Sequence, residues 1–465
     1  MPAAPVPSPL ERPHFLGIGG AGMSGIAKIL AQRGATVAGS DARESDAVRA
    51  LRSLGAAVHI GHATEHLAPD ASAVVVSSAI RPDNPELAEA RRRGLPVVHR
   101  SAALAAVMEA RRTLAVAGTH GKTTTTSMLA VALGVLDLDP SYAIGGDLKG
   151  PGTNAHEGAG EIFVAEADES DRSFHAYAPE VAIILNVELD HHANYASMEE
   201  IYESFLTFVD RVRPGGTLVI CADHEGAREL TRRVRAASDL RVLTYGEAPD
   251  ADLRLVEVEP RGMASEVTVE WEGQRLSFNL QVPGRHNALN AMAALAAGDA
   301  MGVPPKELAI GLGAYTGVGR RLQLKGEARG VRVIDSYAHH PTEMAADLEA
   351  VRAGVGEGRV LVVFQPHLFS RTQELGVEMG HALALADASW VLEIYPARED
   401  PIPGVTSELI VQAARGAGAV VTPVASAEEV PGLLAGMTRP GDLVLTMGAG
   451  DVTELGPLVL TALER

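Results

Sequence analysis

Residues 114–117 form an apolar strand that runs into Gly118-Thr119-His120-Gly121-Lys122-Thr123-Thr124 and then into a helix ending near residue 133. No other stretch restricts the fold as tightly. Glycines let backbone N–H groups converge on one anion, and the helix N-terminus that follows adds a favourable field. At the carboxyl end of a strand, this arrangement calls for a parallel sheet with crossover helices. In such a loop Lys122 reaches the β- and γ-phosphates and the Thr123 hydroxyl ligates Mg²⁺. Only two residues separate Gly118 from Gly121, fewer than in the usual eight-residue loop. Lysine is scarce in the chain, which weighs against an incidental one here.

A second glycine-rich turn, Gly17-Ile18-Gly19-Gly20-Ala21-Gly22, lies between an apolar strand at 14–18 and a helix at 21–33. Asp41 follows about twenty residues on, past a strand at 36–39. The pattern fits a dinucleotide with an acidic ribose ligand. It fits a nucleotide-sugar diphosphate equally well, because either places a diphosphate at a helix N-terminus. Strand–helix alternation continues through 73–77, 85–93 and 96–98, then through strands at 162–165 and 181–186. Alternating polarity over 256–282 predicts a small antiparallel addition. Further strands are expected at 331–334, 360–364, 390–394 and 442–446, the last running into Met447-Gly448-Ala449-Gly450-Asp451. The predicted organisation is α/β throughout, in three domains: 1–109, 110–318 and 319–465.

Two strand ends carry acid-rich clusters. Glu166-Ala167-Asp168-Glu169-Ser170-Asp171 follows the strand at 162–165, where carboxylates face the ligand crevice of an α/β sheet. Beside a triphosphate one of them would bind Mg²⁺. Glu188-Leu189-Asp190-His191-His192 follows the strand at 181–186, and a histidine among carboxylates can ligate a metal or move a proton. Mg²⁺ prefers oxygen ligands, and the spacing fits no standard zinc motif.

Composition removes other classes. With 40 basic against 59 acidic residues the formal net charge is −19, which argues against nucleic-acid binding by phosphate neutralisation. No apolar run approaches the ~18–20 residues that cross a bilayer. The Pro-rich first dozen residues lack the layout of a secretory signal, so a cytoplasmic protein without a membrane partner is expected. The one cysteine, Cys221, excludes an internal disulfide and any multi-cysteine metal site.

In order along essentially the whole chain, the motifs resemble those of the Mur ligases. They are HFLGIGGAGMSGIA at 14–27, AGTHGKTTTTSM at 117–128, EADESD at 166–171, DHH at 190–192, GRHNALNA at 284–291, GVGRRLQ at 317–323, DSYAHHPTE at 335–343 and FQPHLFSRT at 364–372. The resemblance implies a Rossmann-like domain that binds a UDP-sugar, a central P-loop ATPase-like domain with a parallel sheet, and a C-terminal Rossmann-like domain that brings the amino acid. GIGGAGMSG with THGKTTTT is most similar to the member that joins L-alanine to the lactyl carboxylate of UDP-N-acetylmuramate. That reaction, in cytoplasmic peptidoglycan precursor synthesis, runs through an acyl phosphate and leaves ADP and phosphate. The nearest alternative within the family is the recycling enzyme that attaches a murein tripeptide to the same sugar acid. A nicotinamide dehydrogenase leaves the phosphate loop unexplained, and a nucleotide switch has no use for the C-terminal His and Arg motifs.

The resemblance also assigns roles. Gly19, Gly20, Ala21 and Gly22 would offer N–H groups to the UDP diphosphate, with Asp41, Ser77 and Ser78 lining that pocket. Gly118, Thr119, His120, Gly121, Lys122, Thr123 and Thr124 would cradle ATP, with Thr123, Glu166 and His191 as Mg²⁺ partners. His286, Asn287 and Asn290 fall at adenine, Asp335 at ribose, and Arg320 or Arg321 at the γ-phosphate. Tyr337, His339 and Arg371 would meet alanine, with His339 or His192 as the amine base. Family members often carry DDY where this chain has Asp335-Ser336-Tyr337. Some carry a basic residue at Leu368, so carboxylate recognition here rests more on Arg371. The assembly expected is a monomer or homodimer.

Overall fold

The computed structural model describes residues 4–148, 153–190, 194–397 and 399–465. It contains three sheets, and its internal contacts define two compact units. One comprises Met1–Val256, Val269–Phe278 and Leu289–Tyr315; the other comprises Glu257–Thr268, Asn279–Ala288 and Thr316–Arg465.

In the first unit the N-terminal sheet has five parallel strands in the order Ala57–Ile60, Ala38–Asp41, Pro13–Leu16, Ala73–Val76 and Val97–His99. Pro13–Leu16 and Ala73–Val76 adjoin although they are not consecutive, which makes a topological switch point. The glycine turn after Leu16 and the Ser77-Ser78 pair after Val76 both lie at the carboxyl ends of these strands. The strand Arg112–Ala117 lies in the ten-stranded sheet, parallel to Val181–Ile184 on one side and Ile162–Glu166 on the other. This register aligns the ends of three strands that lead to the phosphate loop, the acid cluster and the 186–190 segment. The same sheet continues through Thr217–Cys221 and Arg241–Gly246 to Leu253–Arg261, Ala264–Trp271 and Gln274–Leu280. The last three are joined by two-residue connections, which only hairpins span.

In the second unit a six-stranded sheet runs Gln323–Ala328, Val331–Ser336, Leu443–Met447, Val360–Phe364, Ala388–Val391 and Val421–Pro423. Its first pair is antiparallel and the rest parallel. Val331–Ser336, Leu443–Met447 and Val360–Phe364 are buried almost throughout, as expected for strands covered on both faces. The strand expected at 390–394 forms instead at Ala388–Val391. Beyond it the backbone keeps only the Leu392 bond to the Phe364 carbonyl and an isolated bridge between His367 and Tyr395.

Gly39 shows how closely the first two strands approach. A Cβ there would lie 2.5 Å from the Phe15 carbonyl oxygen and 2.9 Å from Ile18 Cδ1. Gly39→Ala should therefore cost about 2 kcal/mol of stability. Gly134→Ala, in the helix Lys122–Val135 with open space around the new methyl, should stabilise by up to about 1 kcal/mol. Denaturant titration of both variants checks the pair, and equal effects would contradict the packing described.

Candidate active site

The phosphate loop is shaped by two glycines in the left-handed half of backbone space. Gly118 has φ +133° and Gly121 has φ +86°. A Cβ on Gly118 would lie 3.0 Å from the Leu185 amide nitrogen, and one on Gly121 would lie 2.7 Å from Asn290 Oδ1. Asn186 clamps the loop from the neighbouring strand end: its Oδ1 accepts from the His120 amide at 2.7 Å, and its Nδ2 donates to the His120 carbonyl at 3.1 Å. Thr119 Oγ1 accepts from the Glu188 amide at 2.9 Å. Thr124 is buried in the first turn of the helix.

Lys122 folds back over this loop. Its Nζ donates to the carbonyls of Gly118 at 2.7 Å and Thr119 at 3.1 Å, and lies 2.8 Å from Glu169 Oε2. Burial alone would lower the lysine pKa, but Glu169, Asp168 and Glu166 reverse the shift and hold it raised. Thr123 Oγ1 donates to Glu166 Oε1 at 3.2 Å, and Gly145 N donates to Oε2 at 2.8 Å. Burial raises the Glu166 pKa, with Lys122 and these two bonds opposing it. A hydroxyl and a half-buried carboxylate side by side are hard oxygen donors suited to Mg²⁺. Glycine amides, a helix N-terminus and an ammonium beside them suit a polyphosphate. The residues present therefore fit both groups. His191 and His192 lie outside the described residues.

The N-terminal turn is built differently. Gly17, at φ +73°, and Ile18 both donate to the Ser40 carbonyl, at 2.9 and 3.0 Å. Asp41 Oδ2 accepts from the Gly19 amide at 2.8 Å, so this carboxylate braces the turn itself. The helix Ala21–Gln32 starts at Gly20 without a side-chain cap, which leaves its first amides pointing outward past Ala21 and Gly22. Ser77 is half-buried, and Ser78 Oγ donates to Asp171 Oδ2 at 3.3 Å.

Arg100 was not singled out by the motifs. Its Nη2 donates to Asp168 at 3.1 Å, Asp171 at 3.2 Å and Ser173 Oγ at 3.3 Å, while Nη1 lies 3.1 Å from where a Gly22 Cβ would stand. The guanidinium thus joins the glycine turn to the acid cluster. In the sequence Glu188 is one acid among several. It lies 3.5 Å from His120 Nε2 and 2.9 Å from His224 Nε2. Burial pushes its pKa up, and the two histidines more than offset that and hold it well below the usual carboxylate range.

In the second unit, Asp335 is fully buried. Its oxygens accept from Thr446 Oγ1 at 2.8 Å and Thr453 Oγ1 at 2.7 Å, with Arg320 Nε at 3.5 Å and Lys325 Nζ at 3.6 Å. These bonds tie the strand Val331–Ser336 to the strand Leu443–Met447 and to the 451–454 turn. Arg320 donates to the carbonyls of Gly448 at 2.6 Å and Gly450 at 3.0 Å, which anchors its guanidinium to that loop. Arg320 has φ +60° and Leu322 +47°, strained values for side-chain-bearing residues.

Arg321 lies 3.3 Å from Glu343, and both arginines stack over the Tyr337 ring, at 4.8 Å for Arg320 and 5.3 Å for Arg321. His339 Nδ1 donates to the Tyr337 carbonyl at 2.9 Å, which leaves Nε2 as the basic nitrogen of the neutral ring. Burial pulls its pKa down to about 4, with Glu343 opposing. Arg371 is half-buried in the helix Phe369–Leu383 and near enough to act on that pKa. Asn287 Nδ2 donates to the Pro283 carbonyl at 2.7 Å, and His286 Nε2 lies 3.6 Å from Asp347.

A glycine-rich loop running into a helix N-terminus, with a lysine and acidic side chains beside it and α/β sheets around it, is the arrangement expected of a nucleotide-using enzyme, and comparison with known proteins narrows the class. The chain belongs to the Mur ligase family: residues 12–112 match the Mur ligase family catalytic domain, 116–298 the Mur ligase middle domain and 320–450 the Mur ligase glutamate ligase domain. It is 73% identical over 460 residues to the UDP-N-acetylmuramate–L-alanine ligase of Streptomyces coelicolor, covering 99% of each chain. Among solved structures it is similar to the UDP-N-acetylmuramate–alanine ligase MurC of Thermotoga maritima, with TM-score 0.81 and 28% identity over 97% of this chain and 99% of that one. A murein peptide ligase from Psychrobacter arcticus shares the fold, with TM-score 0.70 and 24% identity over 98% and 99% of the two chains.

The Glu188 pairing yields a prediction with a definite sign. A carboxylate held below its unfolded pKa contributes stability above that unfolded value and loses it as pH falls through the folded one. Glu188→Gln should cost about 2 kcal/mol at neutral pH. The deficit should shrink as pH drops below the ordinary carboxylate range. Thermal unfolding across pH checks this, and a deficit constant down to acid pH would contradict it.

Proposed function

We propose that the chain joins L-alanine to the lactyl carboxylate of UDP-N-acetylmuramate, with ATP converted to ADP and phosphate, in peptidoglycan precursor synthesis in the cytoplasm. The observation that carries this is the 73% identity, over 99% of both chains, to a ligase of that name. The phosphate cradle around Lys122 supplies the matching chemistry.

A carboxylate is a poor electrophile, and ATP supplies the phosphoryl group that makes it an acylating agent. The chain's own residues must then overcome repulsion between two anions. Lys122 places a largely buried positive charge at the loop, and the start of the helix Lys122–Val135 adds a fixed dipole. Thr123 and Glu166 would hold Mg²⁺ through oxygen, and the ion would offset charge on the phosphates. In the N-terminal sheet, Asp41 braces the turn whose amides would take the UDP diphosphate. Neutral His339, with Nε2 available, is suited to take the proton from the amine, and Arg371 to pair with the alanine carboxylate.

The tripeptide-adding enzyme remains the sibling to separate by experiment. Phosphate release from ATP with Mg²⁺ and UDP-N-acetylmuramate should depend on L-alanine, with a product heavier by one alanyl residue. Release with the murein tripeptide alone would overturn the proposal. Arg371→Ala should raise KM for alanine by about tenfold or more and KM for ATP little. Equal increases would remove Arg371 from the amino-acid site.

A further inference from the structure

The helix Arg100–Met108 follows the strand Val97–His99 and opens on a cation that takes no part in the chemistry proposed for the phosphate loop. A cation in the first turn opposes the helix dipole, so Arg100 does not serve the helix that carries it. Its side chain is 19% exposed and is held by one end of the guanidinium. Nη2 donates to Asp168 Oδ2 at 3.1 Å, Asp171 Oδ2 at 3.2 Å and Ser173 Oγ at 3.3 Å. The two carboxylates are themselves fixed, Asp168 by the Ser170 amide and Asp171 by the Ser173 amide, both at 3.0 Å. Asp171 Oδ2 also accepts from Ser78 Oγ at 3.3 Å.

The other terminal nitrogen, Nη1, donates to no group among the described residues. It lies against the start of the helix Ala21–Gln32, 3.1 Å from where a Gly22 Cβ would stand. That helix has no side-chain cap, and the amides of Ala21 and Gly22, both exposed residues, have no acceptor among the described residues. The strands Pro13–Leu16 and Ala73–Val76 adjoin here at a topological switch point, where an open α/β sheet takes its ligand. All of these residues belong to the first unit. Two open amides at a helix N-terminus, with a guanidinium nitrogen beside them, suit an anion with several oxygens.

We propose that Arg100 is a substrate-binding residue: the acid turn holds Nη2, and Nη1 meets the diphosphate of the nucleotide-sugar at the Gly19–Gly22 turn. The proposal rests on the function given above. Asp168 and Asp171 place negative charge beside the turn, so without Arg100 a diphosphate would meet repulsion as well as a missing donor. Glycine at 22 follows from the same contact, because a methyl group there would press on Nη1.

The test is calorimetry on the full chain. A non-hydrolysable ATP analogue with Mg²⁺ is titrated first, and UDP is then titrated with the phosphate loop saturated by that analogue. Arg100→Ala should weaken UDP binding by about tenfold to a hundredfold and leave the analogue within about twofold. Lys122 keeps its pairing with Glu169 in that variant. Arg100→Lys should lose less, since it keeps the charge without the planar fork. Asp171→Asn separates a ligand from a structural tie. It keeps an acceptor for Arg100 and Ser78 and removes a negative charge, so UDP should bind as tightly as to wild type or more tightly. A tie alone would make it lose affinity as Arg100→Ala does. Equal losses in Arg100→Ala and Asp171→Asn would therefore overturn the proposal. Wild-type UDP affinity in Arg100→Ala would also overturn it, as would a loss of the analogue equal to that of UDP. Arg100-dependent UDP binding without alanine-dependent product would remove the proposed function and leave this assignment standing.

Discussion

A buried ammonium surrounded by carboxylates is the constraint on which the site in the first unit depends. Lys122 is taken out of water beside Glu169, with Asp168 and Glu166 near enough to raise its pKa. Removing such charges from solvent is costly unless they are paired and hydrogen-bonded. Here the pairing is partly made by the loop's own carbonyls, which draws Gly118 and Thr119 around the lysine. In the same conformation Asn186 takes the amides of Thr119 and His120, and the loop runs into the helix that begins at Lys122. Glycine at 118 and 121 follows from this closeness, because a Cβ would strike the adjoining strand end or Asn290.

The sheets explain why these groups meet. Parallel strands bring their carboxyl ends to one edge, so the loop after Ala117, the acids after Ala165 and the clamp at Asn186 come from three adjacent strands in register. The second unit repeats the device with Val331–Ser336, Leu443–Met447 and Val360–Phe364. There the tie is Asp335, buried and bonded to two threonines, with Arg320 holding the glycine turn after Met447. Tyr337 and His339 follow directly on this tie.

Much of this was legible in the sequence where chemistry and local structure coincide. The two glycine turns each need a strand before and a helix after, and both form as read. Lys122, Thr123 and Glu166 meet because strand ends in a parallel sheet are neighbours. Strands at Thr217–Cys221 and Gln323–Ala328 were missed, the first despite an apolar run, the second because it lies partly exposed at a sheet edge without a regular pattern. The bonding of Asp335 and Arg320 is hidden from the sequence for a different reason. A motif gives residue types and spacing, whereas the groups that a carboxylate meets come from a strand and a short helix more than a hundred residues away. Arg100 was silent for the same reason: only the fold brings residue 100 to residues 168 and 171.

The most direct test of the account is calorimetric titration of wild type and Lys122→Ala with ATP and Mg²⁺ and, separately, with UDP-N-acetylmuramate. The account predicts that the variant loses ATP affinity by about a hundredfold or more while the UDP-sugar binds as before. Undiminished ATP binding would contradict the assignment of the cradle. Comparable loss of both ligands would contradict the division of labour between the two glycine turns.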